Sequence, residues 1–262
     1  MCLLIFAWQV EPSYPLIVGA NRDERFDRPA VSFCVLQERS PRTLGGRDEL
    51  AGGTWLAVNE HGVVAGLTNR PSPEGRDPTK RSRGELPLLL AEHGSAAAAV
   101  ADMERRVRPS DYNPAWLLVG DRYSLYYLEF TASDTPTIHG LGPGIHILEN
   151  VPLGIKSSKV NRVSLSIAAA SAAGRSPWSF LRSVLADHTV EVSAAHGWSG
   201  DSDTPRSPAT LASCVHTEDY GTRSATLVRV SLNPKDRPEM LVADGPPCTA
   251  PFVDVTRHWS TG

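Results

Sequence analysis

Cys2-Leu3-Leu4-Ile5-Phe6-Ala7-Trp8-Gln9-Val10, followed after Glu11 to Pro15 by Leu16-Ile17-Val18-Gly19-Ala20, opens the chain with two apolar runs around a proline-flanked turn. Unbroken apolarity over so few residues reads as strands covered on both faces, and the two are predicted to pair as neighbours. Further along, Gly52-Gly53 leads into Thr54 to Val58, Asn59 to Gly62 carries turn chemistry, and Val63 to Thr68 returns as the second arm of a hairpin. Trp116 to Gly120 and Leu125 to Phe130 form another hairpin around Asp121-Arg122, and Gly144 to Leu148 reads as a further strand. Leu86 to Val107, interrupted only by Gly94, reads as helix, with Ser82 and Glu85 fitting a capping box and Pro109 as its stop. Lys156 to Ala173 and Trp178 to His188 are two more helices. Ser193 to Pro208 is a Gly/Ser/Asp/Pro-rich loop, and Ser213 to His216, Ala225 to Leu232 and Met240 to Ala243 are the closing strands. Segregated runs of strands and helices predict an α+β fold with antiparallel sheets, as one domain over residues 1–262.

Composition narrows the function classes. Twenty-six basic against 29 acidic residues give a formal charge of -3, so no nucleic-acid partner is expected. No run approaches the roughly 18 to 20 apolar residues that span a bilayer, and no positive region precedes the apolar start. The expectation is a cytoplasmic protein with neither membrane partner nor export. Arginine outnumbers lysine by 22 to 4, which reads as a GC-rich bacterial genome. Cys2, Cys34, Cys214 and Cys248 are far apart with no C-x-x-C pair, so they are expected to be reduced thiols and no metal site is expected.

Asn21-Arg22-Asp23-Glu24-Arg25 places amide and ionic side chains where a strand meets solvent, either as a salt-bridged turn or as part of a site. Asn69 and Asn150 also end strands, as turn asparagines or as donors to a developing oxyanion. Arg70 to Arg83 reads as a solvated polar loop. Cys2 fits a core thiol or a nucleophile. Its small side chain makes Met1 a target for aminopeptidase, and removal leaves one residue with both a thiol and an α-amine. An amine of pKa about 8 is a suitable general base for a thiol of about 8.5.

Met1-Cys2, Ala20-Asn21-Arg22-Asp23-Glu24, Arg28-Pro29, Gly52-Gly53-Thr54-Trp55-Leu56, Leu67-Thr68-Asn69, Arg83-Gly84-Glu85-Leu86 and Tyr220-Gly221-Thr222-Arg223 together resemble the NRDE family, also called the transport and Golgi organisation protein 2 family. The resemblance implies an N-terminal-nucleophile hydrolase fold, a four-layer αββα sandwich. More distantly, the blocks look like those of the penicillin V acylase and bile salt hydrolase group. That likeness makes Cys2 the nucleophile and Asp23 the carboxylate that orients its amine. It makes Asn69 and Asn150 oxyanion-side amides and Arg223 an active-site arginine, with Asn21, Arg22, Glu24, Trp55 and Thr222 as substrate-binding or supporting residues. The sequence departs from the group at Ala20, where those enzymes carry arginine; Arg22 is expected to leave the strand on the opposite face.

The implied activity is hydrolysis or transfer at an amide or related acyl bond of a small molecule, through a Cys2 thioester and without a cofactor. The alternative is a non-catalytic scaffold or a haem-binding or trafficking protein, since some family members are implicated in handling haem. His61 and His216 are its least arbitrary ligands. Homo-oligomerisation is left open.

Overall fold

The structure is a computed structural model that describes residues 2–190 and 207–260. In chain order its strands are β1 (Cys2–Trp8), β2 (Leu16–Arg25), β3 (Ala30–Gln37), β4 (Thr43–Asp48), β5 (Leu56–Asn59), β6 (Val64–Asn69), β7 (Ala115–Gly120), β8 (Leu125–Phe130), β9 (Thr137–Gly140), β10 (Gly144–Leu148), β11 (Tyr220–Val230), β12 (Glu239–Ala243) and β13 (Phe252–Asp254). The helices are α1 (Glu85–Ala91), α2 (Ala96–Arg106), α3 (Ser158–Ala172) and α4 (Pro177–Leu185). The strands form two antiparallel sheets, ordered β10-β1-β2-β11-β12-β13 and β3-β4-β5-β6-β7-β8-β9.

Side-chain alternation along β1 shows how the layers arise. Leu4, Phe6 and Trp8 point into an apolar layer shared with Leu56, Val58, Val64, Trp116 and Leu118 of the second sheet. Leu3, Ile5 and Ala7 point the other way, onto Val163 and Ile167 of α3 and Phe180, Leu181 and Val184 of α4. The outer face of the second sheet is covered in turn by Leu86 and Leu90 of α1 and Val100 and Met103 of α2. The order of layers is therefore helix, sheet, sheet, helix. Burial of each large apolar side chain contributes about 1.5–3 kcal/mol, so a strand covered on both faces is favoured at every position. That is why β1 carries no polar alternation.

The structure departs from the sequence reading in four places. The helix predicted over Leu86 to Val107 is two helices, parted at residues 92–95. Ser95 caps α2 by accepting from Ala98 N, while Asn59 Nδ2 donates to the Ala91 and His93 carbonyls. The capping box does not close, because Glu85 is drawn instead to Arg81 at 2.7 Å and to the Tyr112 hydroxyl at 3.2 Å. Ser213 to His216 is not a strand but makes one bridge, His216 to Gly221. Finally, β3, β4, β9 and β13 escaped the reading; β3 and β9 are mostly half-buried or exposed and mix polar with apolar residues. Most of the loop read over Ser193 to Pro208 lies outside the described residues.

One contact joins two sequence blocks that stand far apart in the chain. Thr54 N donates to Gly84 O at 2.9 Å, and a Cβ placed on Gly53 would lie 2.5 Å from the Gly84 carbonyl carbon. The obstacle is backbone, which cannot swing aside as a side chain can. Gly53→Ala is therefore expected to destabilise the fold by about 1–3 kcal/mol. A urea midpoint unchanged from the parent chain would contradict this packing.

No helix among the described residues is long and apolar enough to cross a membrane.

Candidate active site

A cleft of about 270 Å³ opens where the layer between the sheets meets solvent, and Cys2, Arg22, Asp23, Glu24, Trp55 and Asn69 line it. Cys2 continues the face of β1 that carries Leu4 and Phe6, so strand alternation aims its thiol between the sheets. It pairs with Arg22, and Leu3 pairs with Asn21. Asp23, the next residue of β2, lines the same cleft as Cys2. Burial pushes the Cys2 thiol above its usual value; the Asp23 and Glu24 carboxylates push the same way, while Arg22 opposes them. At neutral pH the group at rest is the thiol, so reaction requires a base.

Asp23 is 1% exposed and firmly held. The Thr222 hydroxyl donates to its Oδ1 at 2.6 Å, and the Tyr220 hydroxyl donates to its main-chain oxygen at 2.8 Å. Thr222 is itself oriented, since its Oγ1 accepts from Val215 N at 2.9 Å. On the other side the Lys159 ammonium lies 3.8 Å from Asp23 Oδ2, in the first turn of α3, with 1% of its side chain exposed. A lysine this deep in a protein is rare unless it is paired. Nothing in the pattern of residues 156–173 distinguishes it from a solvated lysine at a helix start, and the sequence reading missed it.

Arg22 stacks over Trp55, 4.5 Å from the ring centroid, and lies 3.3 Å from Asp48. Arg22 and Ala20 therefore face the same inter-sheet layer, against the expectation that Arg22 leaves on the opposite face. Residues two apart on a strand share a face, so Arg22 can serve the cleft that an arginine at position 20 would have served. Asp48 also takes both Nε and Nη2 of Arg28, at 2.6 and 3.1 Å. Burial would raise the Asp48 carboxyl, but the bonds from Arg28 and Ala51 N and the nearby guanidinium charges outweigh it and hold it below the usual range.

Asn69 ends β6 exposed on the rim of the cleft. Asn150 is buried and lines an adjoining pocket with Asn69, Arg76 and Arg83; its Nδ2 donates to Asn69 O at 2.5 Å. Asn150 thus positions Asn69 from behind. Asn21 is spent structurally, its Nδ2 donating to Leu185 O and Ser213 O, which ties β2 to the end of α4. Arg223 does not line the cleft. It sits at a bulge in β11, where its Nη1 donates to the carbonyls of Arg25 and Phe26, bracing the turn that carries Glu24 and Arg28. His61 lies exposed in the β5–β6 turn.

The loop read as solvated supplies one wall. Arg76, Arg81 and Arg83 join Arg22 and Arg28 around the cleft, against Asp23, Glu24 and Asp48. The carboxylates are already committed to Lys159, Arg28 and Arg22, and Arg81 pairs with Glu85. Arg83 donates to Pro114 O and has no carboxylate partner among the described residues. Burial and the neighbouring Arg76 and Arg28 push it down to about 10, which leaves it cationic at neutral pH.

The family model for Transport and Golgi organisation 2 matches residues 1–236. The chain belongs to this family. Two relatives within it are the Transport and Golgi organization 2 homologs of Mus musculus and Homo sapiens, each 37% identical over 93 and 92 residues. The matched stretch is 33% of this chain and 33% of either relative, so the chain aligns with about a third of their length. These relatives are mammalian and lend no support to a bacterial source. Among solved structures, a mutant of the conjugated bile acid hydrolase from Clostridium perfringens superposes with a TM-score of 0.51 at 11% identity, over 98% of this chain and 93% of that one. A Caenorhabditis elegans N-acylethanolamine-hydrolyzing acid amidase ortholog gives 0.50 at 13% identity, over 86% and 92%. Both are N-terminal-nucleophile hydrolases, and this family member has their α+β sandwich fold.

Proposed function

We propose that the mature chain begins at Cys2 and acts as an N-terminal-nucleophile cysteine hydrolase or acyltransferase on a linear amide or related acyl bond of a small anionic molecule. What supports this is that Cys2 and Asp23 line one cleft, with Thr222 and Lys159 holding the Asp23 carboxylate. The α-amine takes the Sγ proton as sulfur attacks the carbonyl carbon. The tetrahedral oxyanion is met by Asn69 and main-chain N–H groups, where losing one donor typically costs about 10²- to 10³-fold in rate. Collapse breaks the C–N bond, the ammonium protonates the leaving amine, and a thioester remains. Water, deprotonated by the same amine, releases the acid and restores the thiol; an acceptor amine in its place gives acyl transfer.

Lys159 favours this chemistry. Its ammonium, 3.8 Å from Asp23 Oδ2, holds the carboxylate that this reading assigns to orienting the amine. Trp55 and Arg22 form the apolar and cationic wall facing the thiol.

Substrate charge follows from the arginines. Arg83 and Arg76 have no carboxylate partner among the described residues, so a carboxylate or phosphate on the substrate would complete them. Loss of one charged hydrogen bond costs about 1.5–3 kcal/mol, so Arg83→Ala is expected to raise KM roughly 10- to 100-fold with kcat little changed. The test is amine release from paired libraries of anionic and neutral amides. Faster turnover of neutral members would overturn the substrate class, and no turnover of any member by chain lacking Met1 would overturn the hydrolase reading.

A further inference from the structure

Cys214, His216, Cys248 and His188 come from three separate segments, following α4, preceding β11 and following β12, yet their ligand atoms all lie within 4.8 Å of one another. Cys214 Sγ is 3.7 Å from Cys248 Sγ and 3.6 Å from His216 Nε2, and Cys248 Sγ is 3.4 Å from the same nitrogen. Zinc bonds of about 2.3 Å to sulfur and about 2.0–2.1 Å to imidazole nitrogen set the edges of a tetrahedron at about 3.4–3.8 Å. The three measured separations have these lengths. The His188 and His216 rings lie 4.8 Å apart between centroids, tilted by 52°, so that they converge without stacking.

The surroundings match those of a ligand set. His188 Nδ1 lies 3.1 Å from Cys214 O; with the proton on Nδ1, Nε2 keeps its lone pair free, the orientation a second-shell carbonyl imposes on a metal-bound imidazole. Cys214 N donates to Asp187 O, which fixes the first cysteine against the end of α4. We propose that these four residues, two cysteines and two histidines, form a tetrahedral site for a structural zinc ion. Two thiolates and two neutral imidazoles complete the coordination, leaving no position for water or substrate, so the site is a clamp rather than a second reaction centre. It also bears on the cleft: between its ligands Cys214 and His216, Val215 holds Thr222 through main-chain and side-chain bonds, and Thr222 holds Asp23. Spacing in the sequence hides the site, because Cys214 and His216 stand only two positions apart and the cysteines 34, neither of them a zinc-ligand spacing.

The test uses the full chain, reduced, stripped with chelator and titrated with cobalt(II) alone, then with zinc. The expected result is one equivalent of cobalt with sulfur-to-metal charge transfer and the strong visible bands of tetrahedral geometry, displaced by one equivalent of zinc. Cys248→Ser and His216→Ala replace exposed ligands and are expected to fold. Each is expected to weaken binding by more than the roughly 10- to 100-fold lost with an outer-shell partner. Cobalt uptake without thiolate charge transfer, affinity unchanged in both variants, or a Cys214–Cys248 disulfide in protein kept under reductant would overturn the proposal. This test reads metal binding and not turnover, so it stands or falls apart from the hydrolase reading.

Discussion

Cys2→Ala is expected to abolish turnover and the covalent acyl intermediate while leaving the fold intact. The thiol lies at the cleft end of β1 and is only partly buried, so removing one sulfur leaves the apolar layer below it in place. The catalytic loss has no such compensation: deleting the nucleophile of a serine hydrolase costs on the order of 10⁶-fold, because base and oxyanion donors have nothing to act upon. A form that retains Met1 should be equally inactive, since its Cys2 nitrogen is an amide and accepts no proton. Lowering the pH should reproduce the loss reversibly. The thiol is held above its usual value and stays protonated, and the amine, its only base, becomes protonated as pH falls. Measured amide hydrolysis that survives in either variant would place the chemistry elsewhere.

The largest effect on stability is expected from Asp23→Asn. The substitution keeps the shape and the bond to Thr222 but removes the countercharge from Lys159, whose ammonium is 1% exposed and has no hydrogen-bond acceptor among the described residues. Breaking a buried ion pair from one side typically costs about 3–5 kcal/mol. The double variant Asp23→Asn, Lys159→Met should recover most of that loss, because the uncompensated charge is then gone, yet it should remain inactive for want of the carboxylate that orients the amine. Urea unfolding of the two single variants and the double variant measures this coupling. Equal destabilisation in the single and double variants would mean that Lys159 and Asp23 do not depend on one another.

Continuous apolarity made β1 and β2 legible, and turn chemistry did the same for the hairpins β5–β6 and β7–β8, because these signals are local. The edge strands β3, β9 and β13 were not legible, since each mixes polar with apolar residues and carries neither unbroken apolarity nor a clean alternation. Among site residues, Cys2, Asp23, Asn69, Arg22 and Trp55 line one cleft. Arg223 and Asn21 belong to the same motifs but act on backbone carbonyls, a distinction that depends on the direction of each side chain and on a bulge in β11. Lys159, Arg83 and the cluster of Cys214, Cys248, His188 and His216 were invisible for a different reason: each acquires its meaning from a partner distant in the chain, with no spacing rule to announce it. The cysteines, read as scattered thiols, are the clearest case.

The most direct test of the central claim, an activated N-terminal thiol, is the intact mass of the purified chain before and after brief iodoacetamide treatment at neutral pH, with the modified residue located by peptide mapping. The account predicts a mass lacking Met1 and one rapid adduct on Cys2, ahead of Cys34, Cys214 and Cys248. Retention of Met1, or alkylation of Cys2 no faster than that of Cys34, would contradict it.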